Sequence, residues 1–313
     1  MAIAPLRRPP AHRAPRPAKR APRTTRTLLS PAQLRGPAGR IGYWTVFLTV
    51  FVVFTLVFLF PLYWAVTGAM KGSAELVRTP PTLFPDRWHL DTYLAAWSVM
   101  DLGRYFWNTI VVVGGAWLFQ LAVAVPAAYA LSKLRPVLGR AILGMMLGTL
   151  MLPAAALLVP TYLTVVEVPL LGINLINSPW AIWLPLGANA FNVYLLKRFF
   201  DQIPDALLDA ARIDGAGPLT VMVRIVLPLS RPILAVVSIF AIVAAWKDFI
   251  WPLLVFPDPA RQTLSVALAR IEQEMPTNML IAGLVLAALP VILVFLVFQR
   301  SILSGISEGG LRG

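Results

Sequence analysis

Residues 203–232, IPDALLDAARIDGAGPLTVMVRIVLPLSRP, carry the densest functional pattern in the chain. Their chemistry is that of docking rather than bond making. Pro204 suits the first position of a helix, and Asp205 is favourable beside that helix's positive end. Leu207, Leu208 and Ala211 then fall on one side at helical spacing. Ala210 and Ala211 keep the surface small, so another protein's backbone can approach. Asp214 leads into Gly215, which supplies the φ > 0 geometry common just past a helix end. Ala216 and Gly217 complete the turn, and Pro218 restarts a second helix. Ile225, Leu227 and Pro228 are expected to anchor that helix to the membrane surface. The pattern predicts a projecting helix–turn–helix. An ordinary amphipathic hairpin lying on a bilayer has the same physics.

A second set consists of polar groups embedded in apolar runs: Asn108, Gln120, Asn189, Asn192, Trp246, Lys247 and Asp248. Polar side chains at membrane depth are costly and often line solute pathways. Lys247-Asp248 lies roughly 15 residues beyond Pro232, or about 22 Å at helical rise. One reading lines a solute pathway with these groups. Packing between helices, or snorkelling to the interface, accounts equally for any single residue.

Other chemistries are missing. No G-x-x-x-x-G-K-[ST] phosphate loop occurs, and Gly215-Ala216-Gly217 lacks the third glycine and flanking strand of a dinucleotide loop. There is no H-E-x-x-H, G-x-S-x-G or EF-hand pattern. The chain has no cysteine, and its two histidines, His12 and His89, are isolated. No catalytic residue and no metal site is expected. If the chain performs active transport, the energy must come from a partner or an ion gradient.

The elements that position these residues are long apolar runs. Only 13% of residues are charged, against roughly a quarter in soluble domains. Uncharged runs at 41–70, 105–132, 141–166, 168–196 and 275–299 each exceed the ~20 residues needed to cross a bilayer. A sixth, 232–246, is broken at Lys247-Asp248 and resumes at Phe249. Backbone in lipid must satisfy its own hydrogen bonds, so the expected fold is all-α and integral to the membrane, with six spans. Residues 1–40 hold ten Lys/Arg and no acid, and their Pro/Ala-rich composition predicts a disordered tail ahead of a six-span transmembrane domain at 41–313. That tail accounts for much of the +13 net charge without invoking nucleic acid. With both termini inside, inner segments hold twenty Lys/Arg and outer loops six. This asymmetry places residues 201–231 in the cytoplasm.

The spacing of the first set resembles a known signature. Asp209-Ala210-Ala211, three residues, Gly215, nine residues, Ile225, one residue, Leu227-Pro228 is similar to the loop of bacterial ABC importer permeases, where Glu-Ala-Ala is usual. Asp209 is one methylene shorter. Pro61 and Trp64 before Lys71, and 127–131 (AAYAL), resemble the ends of that family's first two spans. Residues 246–253 (WKDFIWPL) resemble its carbohydrate-uptake subgroup, with Lys247 replacing a usual Asn, and the tail 305–313 is similarly glycine-rich. The resemblance, to the second permease of maltose-type systems, covers most of 41–313. It implies a bacterial inner-membrane permease subunit forming half of a sugar or polyol pathway. The implied partners are a second permease, a cytoplasmic ATPase dimer that binds ATP and Mg, and an extracellular solute-binding protein. This chain then binds no cofactor and is not itself an enzyme. Glycerol phosphate or amino acid import, a membrane enzyme and an ion-coupled carrier are the alternatives.

Overall fold

The computed structural model describes residues 36–309, with side chains to 299. Residues 1–35 of the expected basic tail lie outside the described residues, as do 310–313 of the glycine-rich ending. Among the described residues there is no strand, only one bridge between Val168 and Ile173. The described residues fall into two compact units that divide between Phe60 and Pro61.

The described part of the first unit is the opening of helix α1 (Pro37–Ala69). Apolar residues cover this helix on all sides and are exposed, as expected of a segment solvated by lipid. Aromatic residues four apart meet along it, with Tyr43–Phe47 and Phe47–Phe51 ring centroids 6.1 and 6.3 Å apart.

In the second unit, short helices α2 (Ser73–Leu76) and α3 (Asp91–Val99) precede α4 (Leu102–Tyr129). A wide turn at Ala130–Leu134 extends α4, with the Arg135 amide donating to the Ala130 carbonyl at 2.9 Å. Helix α4 is the post on which the others converge. It packs against α7 (Trp180–Gly187), α8 (Ala190–Phe200) and α12 (Arg231–Lys247). A Cβ on Gly115 would lie 2.2 Å from the Trp183 indole. Only glycine therefore lets α4 and α7 approach this closely, and Trp183 Nε1 locks the contact by donating to the Val112 carbonyl at 2.9 Å.

The expected third, fourth and fifth spans are not straight helices. Helices α5 (Gly139–Thr149) and α6 (Ala154–Val166) meet at a bend of 107°. Pro153 lies in the break, has no N–H, and disfavours helical geometry at Leu152. The fourth run divides into α7 and α8 because Asn189 caps the second: its Oδ1 accepts from the Asn192 amide at 2.9 Å. The fifth divides into α12 and α13 (Ile250–Val255) at Asp248-Phe249. Among the described residues three helices remain long and apolar enough to cross a membrane alone: Pro37–Ala69, Leu102–Leu134 and Thr277–Gln299. Counting each bent pair as one span raises this to five at most. Six crossings therefore do not emerge as six continuous helices.

Helices α9 (Asp205–Ile213), α10 (Pro218–Val221) and α11 (Leu227–Leu229) build the region between α8 and α12. Helices α14 (Leu264–Ile271) and α15 (Thr277–Gly309) complete the chain. At the end of the unit carrying residues 201–231, Ala128, Leu196, Phe200, Leu208, Val226 and Val237 belong to one buried cluster. It joins α4, α8, α9, the segment 221–226 and α12. Each of the larger side chains among these contributes roughly 1.5–3 kcal/mol on burial.

Candidate functional site: a projecting helix–turn–helix

Pro204 takes the position just before α9, not its first turn, with extended backbone at ψ 130°. Asp205 then opens the helix, where a negative charge favours the dipole. Helix α9 ends in a paired-bond cap. The Gly215 amide donates to the Arg212 carbonyl at 3.0 Å, and the Ala216 amide to the Ala211 carbonyl at 2.9 Å. Gly215 makes this possible by adopting φ +84°. Gly217 precedes α10, and Pro218 stands at its start as expected.

The second helix runs over residues 218–229 with a wide turn at Met222–Val226. It then meets α12 at 84° beside Ser230, which is fully buried. Ile225 and Leu227 are half-buried and pack on the α4/α8/α12 cluster, while Pro228 is exposed. The anchor is thus protein core rather than membrane surface. The helix lies against the ends of α4 and α8, so apolar groups on that side meet side chains.

The two faces of α9 differ. Leu208 is buried and Ala211 half-buried, whereas Leu207 points outward, contrary to the expected shared face. Asp209, Ala210, Asp214, Gly215 and Gly217 are exposed, and Ala216 is half-buried. Asp209 pairs with Arg212 at 2.9 Å on the surface, a contact worth roughly 0–1 kcal/mol. The exposed tip also carries Ile213 (86% exposed) and Leu219 (69%). These two apolar residues escape a search for buried periodicity, since their only signal is apolar character at off-core positions.

The base of the loop holds a polar latch that sequence reasoning missed. Lys133 lies in the wide turn ending α4, with its side chain only 2% exposed. Its Nζ donates to the Ile203 carbonyl at 2.7 Å and to Asp205 Oδ1 at 2.8 Å. Arg135 donates to the other Asp205 oxygen at 3.0 Å. Alongside, Asp201 accepts from Ser132 Oγ at 2.7 Å and from Lys197 Nζ at 2.8 Å. The hydrogen bond from Lys133 holds the Asp205 carboxylate below its ordinary range, and the charges of Lys133 and Arg135 add to this. Burial raises Asp201, but the hydrogen bonds from Lys197 and Ser132 outweigh it, and its pKa is lowered. On composition, Lys133 and Arg135 register as orientation charges and Asp205 as a dipole partner. Their contact across some seventy residues has no local signature.

The polar residues of the apolar runs separate into two groups. Gln120, Asn189, Asn192 and Lys247 line one cavity of about 340 Å³. Trp246 and Lys247 line a second, of about 640 Å³, and Trp246 Nε1 donates to the Ala287 carbonyl at 3.1 Å. Asn108 and Asp248 line neither cavity and are engaged by backbone. Asn108 Nδ2 donates to the Ala260 and Gln262 carbonyls at 2.9 and 3.0 Å. Asp248 Oδ1 accepts from the Trp251 amide at 3.4 Å. Among the described residues no group of three or more His, Cys, Asp or Glu is placed to hold a metal.

Comparison with known proteins accords with this geometry. The chain is 29% identical over 267 residues to a diacetylchitobiose uptake system permease protein of Streptomyces coelicolor, covering 83% of this chain and 86% of that one. It is 30% identical over 268 residues to an sn-glycerol-3-phosphate transport system permease protein of Rhizobium meliloti, covering 82% and 93%. A solved structure of a bacterial ABC transporter involved in the import of the acidic polysaccharide alginate contains a chain of the same fold. That match has a TM-score of 0.72 over 85% of this chain and 98% of the other, at 22% identity. The family model described as binding-protein-dependent transport system inner membrane component matches residues 120–306, which include the projecting loop and the four polar residues of the 340 Å³ cavity. The chain belongs to this family of inner membrane transport components.

Proposed function

We propose that residues 201–231 form the coupling element through which a cytoplasmic ATPase drives this permease. In this reading the chain forms half of the pathway of an ABC importer, with a second permease forming the other half. The ATPase dimer binds ATP and Mg, and an extracellular binding protein delivers the cargo. Both termini and the loop are cytoplasmic, in line with the lysine and arginine asymmetry. Relatives named for diacetylchitobiose and sn-glycerol 3-phosphate uptake favour a cargo rich in hydroxyls, a sugar or related polyol.

One observation carries the reading: the loop has an exposed tip on an immobilised base. The tip offers Ala210, Ile213 and Leu219 to a partner. The base is tied to α4 through Lys133 and to the shared core through Leu208 and Val226. A push on α9 is therefore delivered to α4 and, across the 84° bend, to α12. Affinity purification of the tagged chain from its native membrane tests this. An ATPase and a second permease should co-purify in a stable complex. A chain that purifies alone and transports without ATP would instead be an independent carrier.

A further inference from the structure

Lys247 is the one basic residue that lies inside an apolar run rather than in a loop. It ends α12, about 24 Å from Arg231 at helical rise. Among the described residues its ammonium makes no ion pair and no hydrogen bond. Asp248 does not neutralise it, since that carboxylate faces the start of α13. Glu272 shares the 640 Å³ cavity with Lys247 but does not pair with it, and the 340 Å³ cavity contains no acid. Lys247 is exposed in the isolated chain, and a charge at membrane depth is costly unless a partner, water or a ligand meets it.

The smaller cavity supplies the rest of a recognition site. Gln120 spends Nε2 on the Leu186 carbonyl, leaving Oε1 as an acceptor. Asn189 spends Oδ1 on the Asn192 amide, leaving Nδ2 as a donor. Asn192 is 3% exposed, and its carboxamide has no hydrogen-bond partner among the described residues. Phe191 and Phe240, with ring centroids 6.0 Å apart, form an apolar wall. Uncommitted amides beside aromatic faces suit a polyhydroxylated molecule, and the volume is that of a small-ligand site. The ammonium adds what a neutral sugar does not need.

We propose that the cavity lined by Gln120, Asn189, Asn192 and Lys247 receives a carbohydrate or polyol bearing an anionic group. Lys247 supplies the counter-charge to its carboxylate, phosphate or sulfonate. This inference rests on the transport reading above and names the class of its cargo.

The test uses the complete importer in lipid nanodiscs, with sodium glucuronate as the anionic probe and glucose as the neutral one. Acetylation of Lys247 by acetic anhydride is followed by peptide mass spectrometry and normalised to Lys197. Lys247 is expected to react in the absence of sugar. Glucuronate should slow that reaction several-fold, whereas equal concentrations of glucose or sodium chloride should not. Equal slowing by glucose, no slowing by glucuronate, or a Lys247 that never reacts because the second permease pairs with it would each overturn the assignment. Failure of the transport reading shows separately, as a chain that yields no complex with an ATPase.

Discussion

Replacing Gly215 isolates the turn of the proposed coupling element from everything around it. A Cβ at this position meets no atom within 4 Å, so no clash contributes to the effect. The whole cost is backbone: at φ +84° an L side chain pays about 1–2 kcal/mol. At roughly 1.4 kcal/mol per tenfold, the capped turn loses about five- to thirtyfold in population relative to open alternatives. The cost should follow side-chain shape. Gly215→Asn tolerates the left-handed region, Gly215→Ala is intermediate, and Gly215→Val is worst because its β-branch crowds the backbone. Hydrogen exchange at the Ala216 amide, whose bond to Ala211 closes the cap, reads the opening directly. ATP-driven uptake by the complete importer reads the consequence. Exchange protection and uptake should both decline in the order Asn, Ala, Val while the complex still assembles. If Gly215→Val left exchange protection and uptake at the level of the parent chain, the rigid-turn argument would be refuted.

Lys133→Met removes the buried donor to Ile203 and Asp205. It should leave the ATPase bound but broaden the distance between spin labels on α9 and α4; an unchanged distribution would show that the latch transmits nothing. Gly115→Ala forces a methyl to within 2.2 Å of the Trp183 indole. Overpacking of this kind costs about 1–3 kcal/mol, to be read as a lower unfolding midpoint in detergent, and no change would mean α7 simply moves aside. The Asp205 pKa is lowered in the folded chain. Its stabilisation is therefore complete above the unfolded value, about 3.9, and is lost only as pH falls below that. Exchange protection of α9 should be flat from pH 8 to 5 (a window set by roughly one unit above that value), and a loss within it would point to another group.

The sequence made the outline of the loop legible because its signals are local. Pro218 and Gly215 dictate turn geometry through their own backbones, and the structure places them in those roles. Long apolar runs likewise announced helices, since lipid leaves the backbone no other choice. What sequence reading lost was direction and continuity. Hydropathy does not register a proline or an asparagine cap inside an apolar run, so the breaks at Pro153 and Asn189 were invisible to it. Helical spacing alone does not choose between adjacent residues of a stripe, so it puts Leu207 on the inner face where the structure exposes it. The Lys133–Asp205 latch and the meeting of four polar side chains in the smaller cavity depend on tertiary contacts between distant segments. Asn108, by contrast, reads as a pathway residue only until its two carbonyl partners are seen.

The coupling reading meets its most direct test at Ile213, the exposed apolar residue at the end of α9. A photo-crosslinking residue placed there in the complete importer should join this chain to the ATPase, and ATP should change the yield. Crosslinks to lipid or to the extracellular binding protein, with none to the ATPase, would contradict the account.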